Sequence, residues 1–257
     1  MKENNSRRRF IRGAALTGLA TCCLPAFETF AAKSGKVPGA KDGAVILFQG
    51  DSITDGNRGR NTDPNHIMGH GYAFSIASRV GADYPEKKYI FYNRGISGNR
   101  TTELENRWQT DTLDLKPNVL SILVGVNDCT STIFHGGDGS GISVEEYQKK
   151  YTGLLDQTRE AFPDILFVLC EPFILSVGKV KENWDAYIAD ITQRQAVVRQ
   201  LAEKYNTVFV GFQHVFTKAC EKAAADYWIW DGVHPTVPGH ELMAREWLKQ
   251  VEKRIKF

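Results

Sequence analysis

The stretch that decides the fold is Val45-Ile46-Leu47-Phe48-Gln49-Gly50-Asp51-Ser52-Ile53-Thr54. Its first half is a short apolar run, which is typical of a strand buried inside a sheet. Its second half carries glycine, aspartate and serine, the residues that favour tight turns. The sequence therefore predicts a strand over about residues 44–48 and a turn that presents the Ser52 side chain at the end of that strand.

Four more strand-like apolar runs follow, at about residues 89–92, 119–124, 165–170 and 207–210. Apolar residues at helical spacing lie between these runs, and Ser143 and Glu146 have the spacing of a capping box that starts a helix. Strands that alternate with helices indicate a parallel sheet with helices on both faces. We therefore predict an α/β fold, a three-layer α/β/α sandwich around a mostly parallel sheet of about five strands.

Polar segments follow the first three predicted strands. Asn93–Arg100 comes after the second strand and Gly125–Asp128 after the third, while Asp231-Gly232-Val233-His234-Pro235 lies far downstream. Ligands of an open α/β sheet bind beyond the carboxyl ends of its strands, so we expect these segments to converge on one edge. A serine hydroxyl is a poor nucleophile until a base takes its proton, and a histidine oriented by an aspartate is such a base.

These blocks, taken together, resemble the SGNH or GDSL hydrolases, and the resemblance runs from about Gly43 to the C-terminus. It implies a flavodoxin-like sandwich that hydrolyses esters. It also implies that Ser52 is the nucleophile, with His234 as its base and Asp231 as the residue that orients the base.

The resemblance further implies an oxyanion hole. Its three donors would be the backbone N–H groups of Ser52 and Gly98 and the side-chain amide of Asn127. Gly95 is the less favoured alternative to Gly98. Gly98 could instead serve only a backbone turn with positive φ, and Asn127 could only cap its loop.

Simpler interpretations exist for the other members of these blocks. Ser52 could be a helix N-cap, and Asp231 with Gly232 could form only an Asx turn. We expect Asp51 and Asp128 to brace loops rather than to take part in the chemistry.

The function predicted from the resemblance is a serine esterase that hydrolyses small acyl esters, foremost O-acetyl groups on carbohydrate. Two alternatives stay open: a lysophospholipase or thioesterase-like acyl hydrolase, and a catalytically silent carbohydrate-binding protein. The partner is then a small-molecule or carbohydrate ester, and no cofactor is expected. The net charge of +2 and the lack of a basic patch argue against nucleic acid as a partner. No apolar stretch is long enough for a membrane span in the mature chain.

The N-terminus predicts export. Arg7, Arg8 and Arg9 precede a short, mildly apolar stretch and then small residues, which is the order found in a signal peptide and resembles a twin-arginine signal. We predict a signal peptide over residues 1–32, a linker over 33–42 and the hydrolase domain over 43–257. The product would be periplasmic or extracellular. A disordered basic tail and lipid anchoring through Cys22 are the alternatives.

Several further side chains lie near the motifs. Trp228 and Trp230 precede Asp231 and could contact a sugar, although packing is the commoner role of such residues. Four loop arginines could meet an acidic sugar or simply be solvated: Arg58, Arg60, Arg94 and Arg100.

We expect neither a metal site nor an essential disulfide. His66, His70 and His135 lie in Gly-rich loops without the spacing of metal ligands, and His214 and His240 are expected to be structural. Outside the signal, Cys129, Cys170 and Cys220 show no disulfide framework, and Cys170 is expected to point into the core.

Overall fold

The computed structural model describes residues 41–130 and 141–257. Within these ranges the strands are β1 (Val45–Gly50), β2 (Ile90–Asn93), β3 (Val119–Leu123), β4 (Leu166–Cys170) and β5 (Val208–Val210). They form one sheet in the order β2-β1-β3-β4-β5, and each neighbouring pair is parallel.

Helices separate the strands along the chain. They are α1 (Ser52–Asp55), α2 (Tyr72–Asp83), α3 (Thr101–Asp111), α4 (Val144–Ala161), α5 (Trp184–Lys204), α6 (Phe212–Ala219), α7 (Ala225–Trp228) and α8 (Val237–Val251). Short 3₁₀ turns occupy Pro85–Lys87, Leu113–Leu115 and Gly178–Asn183.

The core has two layers, one on each face of the sheet. Ile46 and Phe48 of β1 belong to the layer under α2, α6 and α8, whereas Leu47 belongs to the layer under α3, α4 and the second half of α5. Every residue of β3 and β4 is buried, as expected for central parallel strands covered on both faces. The predicted three-layer α/β/α sandwich with a five-stranded sheet is confirmed.

Local signals account for two of the helix starts. The Ser143 hydroxyl accepts a hydrogen bond from the Glu146 N–H at 3.1 Å, so the predicted cap opens α4. The Thr236 hydroxyl caps α8, where Pro238 lies in the first turn. At Ser52 the structure has a single helical turn, α1, in place of the predicted tight turn, and β1 continues to Gly50.

The predicted signal peptide, residues 33–40 of the predicted linker, and His135 lie outside the described residues. Among the helices of the described ranges, none combines the length and apolar character that crossing a membrane requires.

Candidate active site

Ser52 lies where β1 ends at the carboxyl edge of the sheet. Gly50 has a φ of 155°, and a Cβ there would lie 2.2 Å from the Leu123 carbonyl oxygen, so only glycine lets β1 end so close to β3. The Asp51 carboxylate then caps α1 by accepting the Ile53 N–H at 3.0 Å. Ser52 is the first residue of α1 and stays half-buried.

Asp231 and His234 lie on the loop that precedes α8. One oxygen of Asp231, Oδ1, accepts the backbone N–H groups of Val233 at 3.0 Å and His234 at 2.7 Å, which makes an Asx turn. The other oxygen, Oδ2, lies 2.7 Å from His234 Nδ1. Gly232, with a φ of 99°, completes the turn. The turn and the carboxylate–imidazole contact therefore coexist, and the turn sets the geometry of the pair.

The fold brings this loop to Ser52 across 182 residues of sequence. His234 Nε2 lies 2.7 Å from Ser52 Oγ. If Nδ1 donates its proton to Asp231, the lone pair of Nε2 faces the serine hydroxyl, and the imidazole can accept the hydroxyl proton. Such an arrangement can activate a serine for attack on a carbonyl carbon.

The predicted oxyanion loops meet at the same edge. The Ile96 N–H donates to the Gly50 carbonyl at 3.1 Å, so the loop after β2 is attached to the end of β1. Asn127 is almost buried, and its side-chain amide donates to the Asn99 carbonyl at 3.2 Å. Gly98, directly before Asn99, has a φ of 81°. The structure thus brings together the loops that carry all five predicted site residues.

The geometry favours Gly98 over Gly95 as the oxyanion donor. A Cβ on Gly95 would lie 2.3 Å from the Asp55 backbone nitrogen, so this glycine is needed for close packing against α1. Its N–H donates to the Asn93 side chain at 2.9 Å. Gly95 is thus occupied in packing, and Gly98 remains the candidate oxyanion donor.

Comparison with known proteins identifies the family. A family model of GDSL-like lipases and acylhydrolases matches residues 48–242. The chain belongs to the GDSL-like lipase/acylhydrolase family. It is therefore a carboxylic ester hydrolase, as the motifs predicted.

Individual relatives of this GDSL hydrolase cover most of the chain. An acetylxylan esterase from Geobacillus stearothermophilus is 31% identical over 216 residues, which are 81% of this chain and 94% of that protein. The crystal structure of Axe2, an acetylxylan esterase from the same species, has a TM-score of 0.72 at 30% identity and covers 84% of this chain and 96% of Axe2. A protein from Parabacteroides merdae named as a GDSL-like lipase has a TM-score of 0.77 at 41% identity, with 84% and 98% covered.

Solved structures of Axe2 include alanine variants called catalytic mutants. The replaced residues are a serine, an aspartate and a histidine. The aspartate and the histidine are three positions apart in Axe2, as Asp231 and His234 are in this GDSL hydrolase.

Asp231 and His234 shift each other's pKa. Burial by itself raises the pKa of Asp231, but hydrogen bonds from the His234 ring and from the backbone outweigh burial and bring this pKa below its ordinary value. Burial by itself lowers the pKa of His234, but the hydrogen bond and charge of Asp231, with the charge of Asp51, raise it above its ordinary value. The loop therefore favours an aspartate anion and a more basic histidine.

Asp51 and Asp128 are buried beside the predicted oxyanion donors of this hydrolase. Burial raises the pKa of Asp51 to about 7 and that of Asp128 to about 6. Asp51 caps α1, and Asp128 accepts both the N–H and the hydroxyl of Thr101. Both carboxylates hold loops together, as predicted.

The two tryptophans before Asp231 differ in environment. Trp228 packs against the core, and its indole N–H donates to the Ala219 carbonyl at 3.1 Å. Trp230 is 63% exposed, and its ring lies 6.3 Å from the His234 ring at an interplanar angle of 25°. One solved Axe2 variant replaces the tryptophan directly before the aspartate named above. Of the two, Trp230 is the one with a largely exposed ring beside His234.

The side chains of three of the four loop arginines make polar contacts within the described residues. Arg60 pairs with Asp55 at 2.6 Å, and Arg58 Nε donates to the Gly95 carbonyl at 2.9 Å. Arg100 pairs with Glu103 at 2.6 Å. The guanidinium of Arg94 lies 5.6 Å from the Tyr92 ring. The contacts of Arg58 and Arg60 hold the loops around α1 in place.

Of the described histidines outside the motifs, His240 is buried, whereas His66, His70 and His214, which was expected to be structural, are exposed. His240 Nδ1 accepts the Tyr72 N–H at 3.1 Å, and burial followed by the charge of His70 lowers its pKa to about 4. No group of three or more histidine, cysteine, aspartate or glutamate side chains in the described ranges could hold a metal ion.

Cys129, Cys170 and Cys220 are free thiols, and Cys170 is buried in the core as predicted.

Sequence reasoning missed three residues that support this site. Thr101 holds Asp128, and Arg107 of α3 contacts the end of β1 and the loop after β2. Arg194 of α5 is fully buried and pairs with Asp190 at 3.1 Å. The spacing of four residues between Asp190 and Arg194 on a helix was the one available signal, and it concerned Arg194 alone.

Proposed function

We propose that this hydrolase removes O-acetyl groups from carbohydrate through an acetyl-enzyme intermediate on Ser52. The observation that carries the mechanism is the continuous chain of contacts from Ser52 Oγ to His234 Nε2 and from His234 Nδ1 to Asp231 Oδ2, each 2.7 Å long. Its members have the nucleophile, base and orienting roles that acyl transfer requires.

In the first half of the proposed reaction, Ser52 Oγ bonds to the acetyl carbonyl carbon while His234 Nε2 takes the hydroxyl proton. The negative charge that forms on the carbonyl oxygen is stabilised by the N–H groups of Ser52 and Gly98 and by the Asn127 amide. The bond from carbon to the sugar oxygen then breaks, and His234 returns its proton to that oxygen.

In the second half, water attacks the acetyl-enzyme. His234 takes a proton from the water, the bond to Ser52 Oγ breaks, and the proton returns to the serine. Acetate leaves. Asp231 stays ionised throughout and stabilises the imidazolium in both halves, which fits its lowered pKa.

Two observations support carbohydrate as the carrier of the acetyl group. The relative from Geobacillus stearothermophilus is named an acetylxylan esterase. The exposed indole face of Trp230 lies beside His234, and aromatic faces pack well against the apolar face of a sugar ring.

The first experiment compares Ser52→Ala with Ser78→Ala, a matched control at an exposed serine on α2. We expect Ser52→Ala to lose roughly 10⁴-fold or more in kcat on p-nitrophenyl acetate and to escape labelling by a fluorophosphonate probe, because no nucleophile remains. Ser78→Ala should match the parent in both assays. Near-parental turnover by folded Ser52→Ala would overturn the mechanism.

The second experiment tests the substrate class. Acetylated xylo-oligosaccharides, a lysophospholipid and a medium-chain acyl thioester are compared by kcat/KM. Preference for the acetylated sugar supports the proposal. Preference for either acyl-chain substrate would favour a lysophospholipase or thioesterase-like activity. Binding of the sugar without acetate release would point to a silent binding protein.

We further propose that the chain is exported, with residues 1–32 as its signal peptide. The basic, apolar and small-residue order of that segment supports this. Mass spectrometry of the protein from cell fractions should find a mature chain that starts near Lys33 outside the cytoplasm. A full-length cytoplasmic protein would contradict export, and a lipid adduct on Cys22 would indicate anchoring instead.

A further inference from the structure

Two adjacent residues after β3 hold the same short segment of the loop after β2. The Asn127 side-chain amide donates to the Asn99 carbonyl at 3.2 Å. Asp128 Oδ1 accepts the Thr101 N–H at 2.9 Å and the Thr101 hydroxyl at 2.5 Å. These contacts lie on either side of Arg100 and begin one residue after Gly98, so the loop is attached to the end of β3 at two points.

The same segment is also attached to the end of β1. Arg107 Nε donates to the Asn99 side-chain oxygen at 2.8 Å, and another nitrogen of its guanidinium donates to the Gly50 carbonyl at 3.3 Å. Gly50 lies two residues before Ser52. The ends of three neighbouring strands therefore share one framework built around the start of α3.

The burial of the Asp128 carboxylate in this framework costs free energy. It is 0% exposed, and its second oxygen, Oδ2, has no hydrogen-bond partner within the described part of the chain. A buried carboxylate with an unpaired oxygen destabilises a fold unless its contacts compensate for the loss of water. Within the described residues, both hydrogen bonds of its carboxylate are to Thr101, the first residue of α3.

We propose that Asp128 is a positioning residue for the oxyanion hole, acting through Thr101 to fix the Gly98 N–H relative to the Asn127 amide. The inference rests on the proposed function, because it needs an oxyanion to form at these donors. Fixed donors stabilise the transition state only if they already point to where the charge develops. Asn127 and Arg107 both hold the loop at Asn99, which leaves it free to turn about that residue. The contact of Asp128 with Thr101, on the other side of Arg100, removes this freedom.

The test uses two disruptive variants, one conservative variant and one control. Asp128→Ala removes the acceptor, and Thr101→Val removes only the hydroxyl donor. Asp128→Asn keeps an oxygen that can accept both Thr101 donors. Glu105→Gln breaks the exposed ion pair of α3 with Lys150 and leaves the framework intact.

We expect Asp128→Ala to lower kcat roughly 10²-fold with little change in KM, the effect of a misplaced group that acts in the transition state. Thr101→Val should lose roughly tenfold, since one of two contacts remains. Asp128→Asn should recover most of the rate, and Glu105→Gln should equal the parent. The inhibition constant of methylboronic acid, which forms a tetrahedral adduct on serine, should rise in proportion to the loss of kcat/KM.

Several outcomes would overturn the inference. One is a folded Asp128→Ala with parental kcat; another is a loss confined to KM, or a loss of kcat with unchanged boronate inhibition. If Asp128→Ala does not fold, Thr101→Val decides, and parental kcat in that variant refutes the role. Because Ser52→Ala tests the nucleophile separately, an inactive Ser52→Ala beside a fully active Asp128→Ala would refute only the positioning role.

Discussion

Asp231, on the loop before α8, and Asp128, at the end of β3, are both buried aspartates of one site, yet their pKa values move in opposite directions. Asp231 receives two backbone N–H groups and faces an imidazole that can carry positive charge. Within the described residues, one oxygen of Asp128 accepts the N–H and the hydroxyl of Thr101, and its other oxygen accepts no hydrogen bond. Donors on both oxygens stabilise the anion of Asp231, whereas burial dominates at Asp128.

The two regions therefore have different roles. The C-terminal loop keeps a charged carboxylate where a proton must move. The strand-end loops use nearly or fully buried carboxylates, Asp51 and Asp128, to hold backbone in place. Changes at Asp231 should therefore move the pH dependence of the rate, whereas changes at Asp128 should alter kcat and leave that dependence where the parent has it.

Among changes in these two regions, Asp231→Asn should have the largest effect. The amide can keep the Asx turn but favours the wrong imidazole tautomer. The same substitution in a trypsin-like protease costs about 10⁴-fold in kcat. We expect a loss of roughly 10²–10⁴-fold here. Exposed Asp226 supplies the control variant Asp226→Asn, which should behave as the parent.

The pH profile sharpens this test. His234 must be neutral to accept a proton, so kcat/KM rises as the pH passes its pKa. With an unperturbed histidine, this rise would occur at about pH 6.5. Asp231 and Asp51 raise the pKa of His234, so we expect kcat/KM of the parent to rise at a pH above that value. In Asp231→Asn the rise should occur at a lower pH than in the parent. Coincident limbs would mean that the two residues are not coupled.

Asn127→Ala should cause the next largest loss of activity. An oxyanion donor acts on charge that appears only in the transition state, so we expect a loss of roughly 10²–10³-fold in kcat with a smaller change in KM. The limb of the pH profile should stay where the parent has it. Asn183→Ala, at an exposed asparagine, is the matched control. An effect on KM alone would assign Asn127 to ground-state binding.

Trp230→Ala should affect only the sugar part of the substrate. We expect KM for an acetylated xylo-oligosaccharide to rise up to roughly tenfold, and KM for p-nitrophenyl acetate to stay near the parent value. Ile90→Ala is the control, because exposed Ile90 begins β2 at the opposite edge of the sheet. Equal effects on both substrates, or a change in oligomeric state by light scattering, would contradict a sugar contact.

The smallest expected effect is on stability. The pKa of Asp51 in the fold is about 7, above its ordinary value of 3.8, so the folded state holds a proton that the unfolded state releases between these values. Parent stability therefore carries a penalty that grows as pH rises through this window. Asp51→Asn can still cap α1, and we expect its Tm to exceed that of the parent by roughly 2–4 °C above neutral pH.

The Asp51→Asn difference should vanish in acid, where the parent carboxyl is also neutral. Thermal unfolding followed by circular dichroism across this pH range is the measurement. A lower Tm for the variant at high pH would show that the charge of Asp51 stabilises the fold.

The sequence by itself determined the sheet and the places of its motifs. Apolar runs such as Val45–Phe48, turn residues such as Gly50 and helix caps such as Ser143 act over a few residues, so their effects are visible in local order. The blocks at Ser52, Gly98, Asn127 and Asp231 to His234 follow from the same local patterns and from the family resemblance.

Only the tertiary structure decided what depends on distant neighbours. It showed that Trp230 is exposed whereas Trp228 packs against the core. It also favoured Gly98 as the oxyanion donor, because Gly95 packs closely against α1. It also joined Asp128 to Thr101, and it set the direction of the pKa shift of His234. Burial, desolvation and contact across many residues arise only once the chain has folded, and these quantities determine charge and geometry at the site.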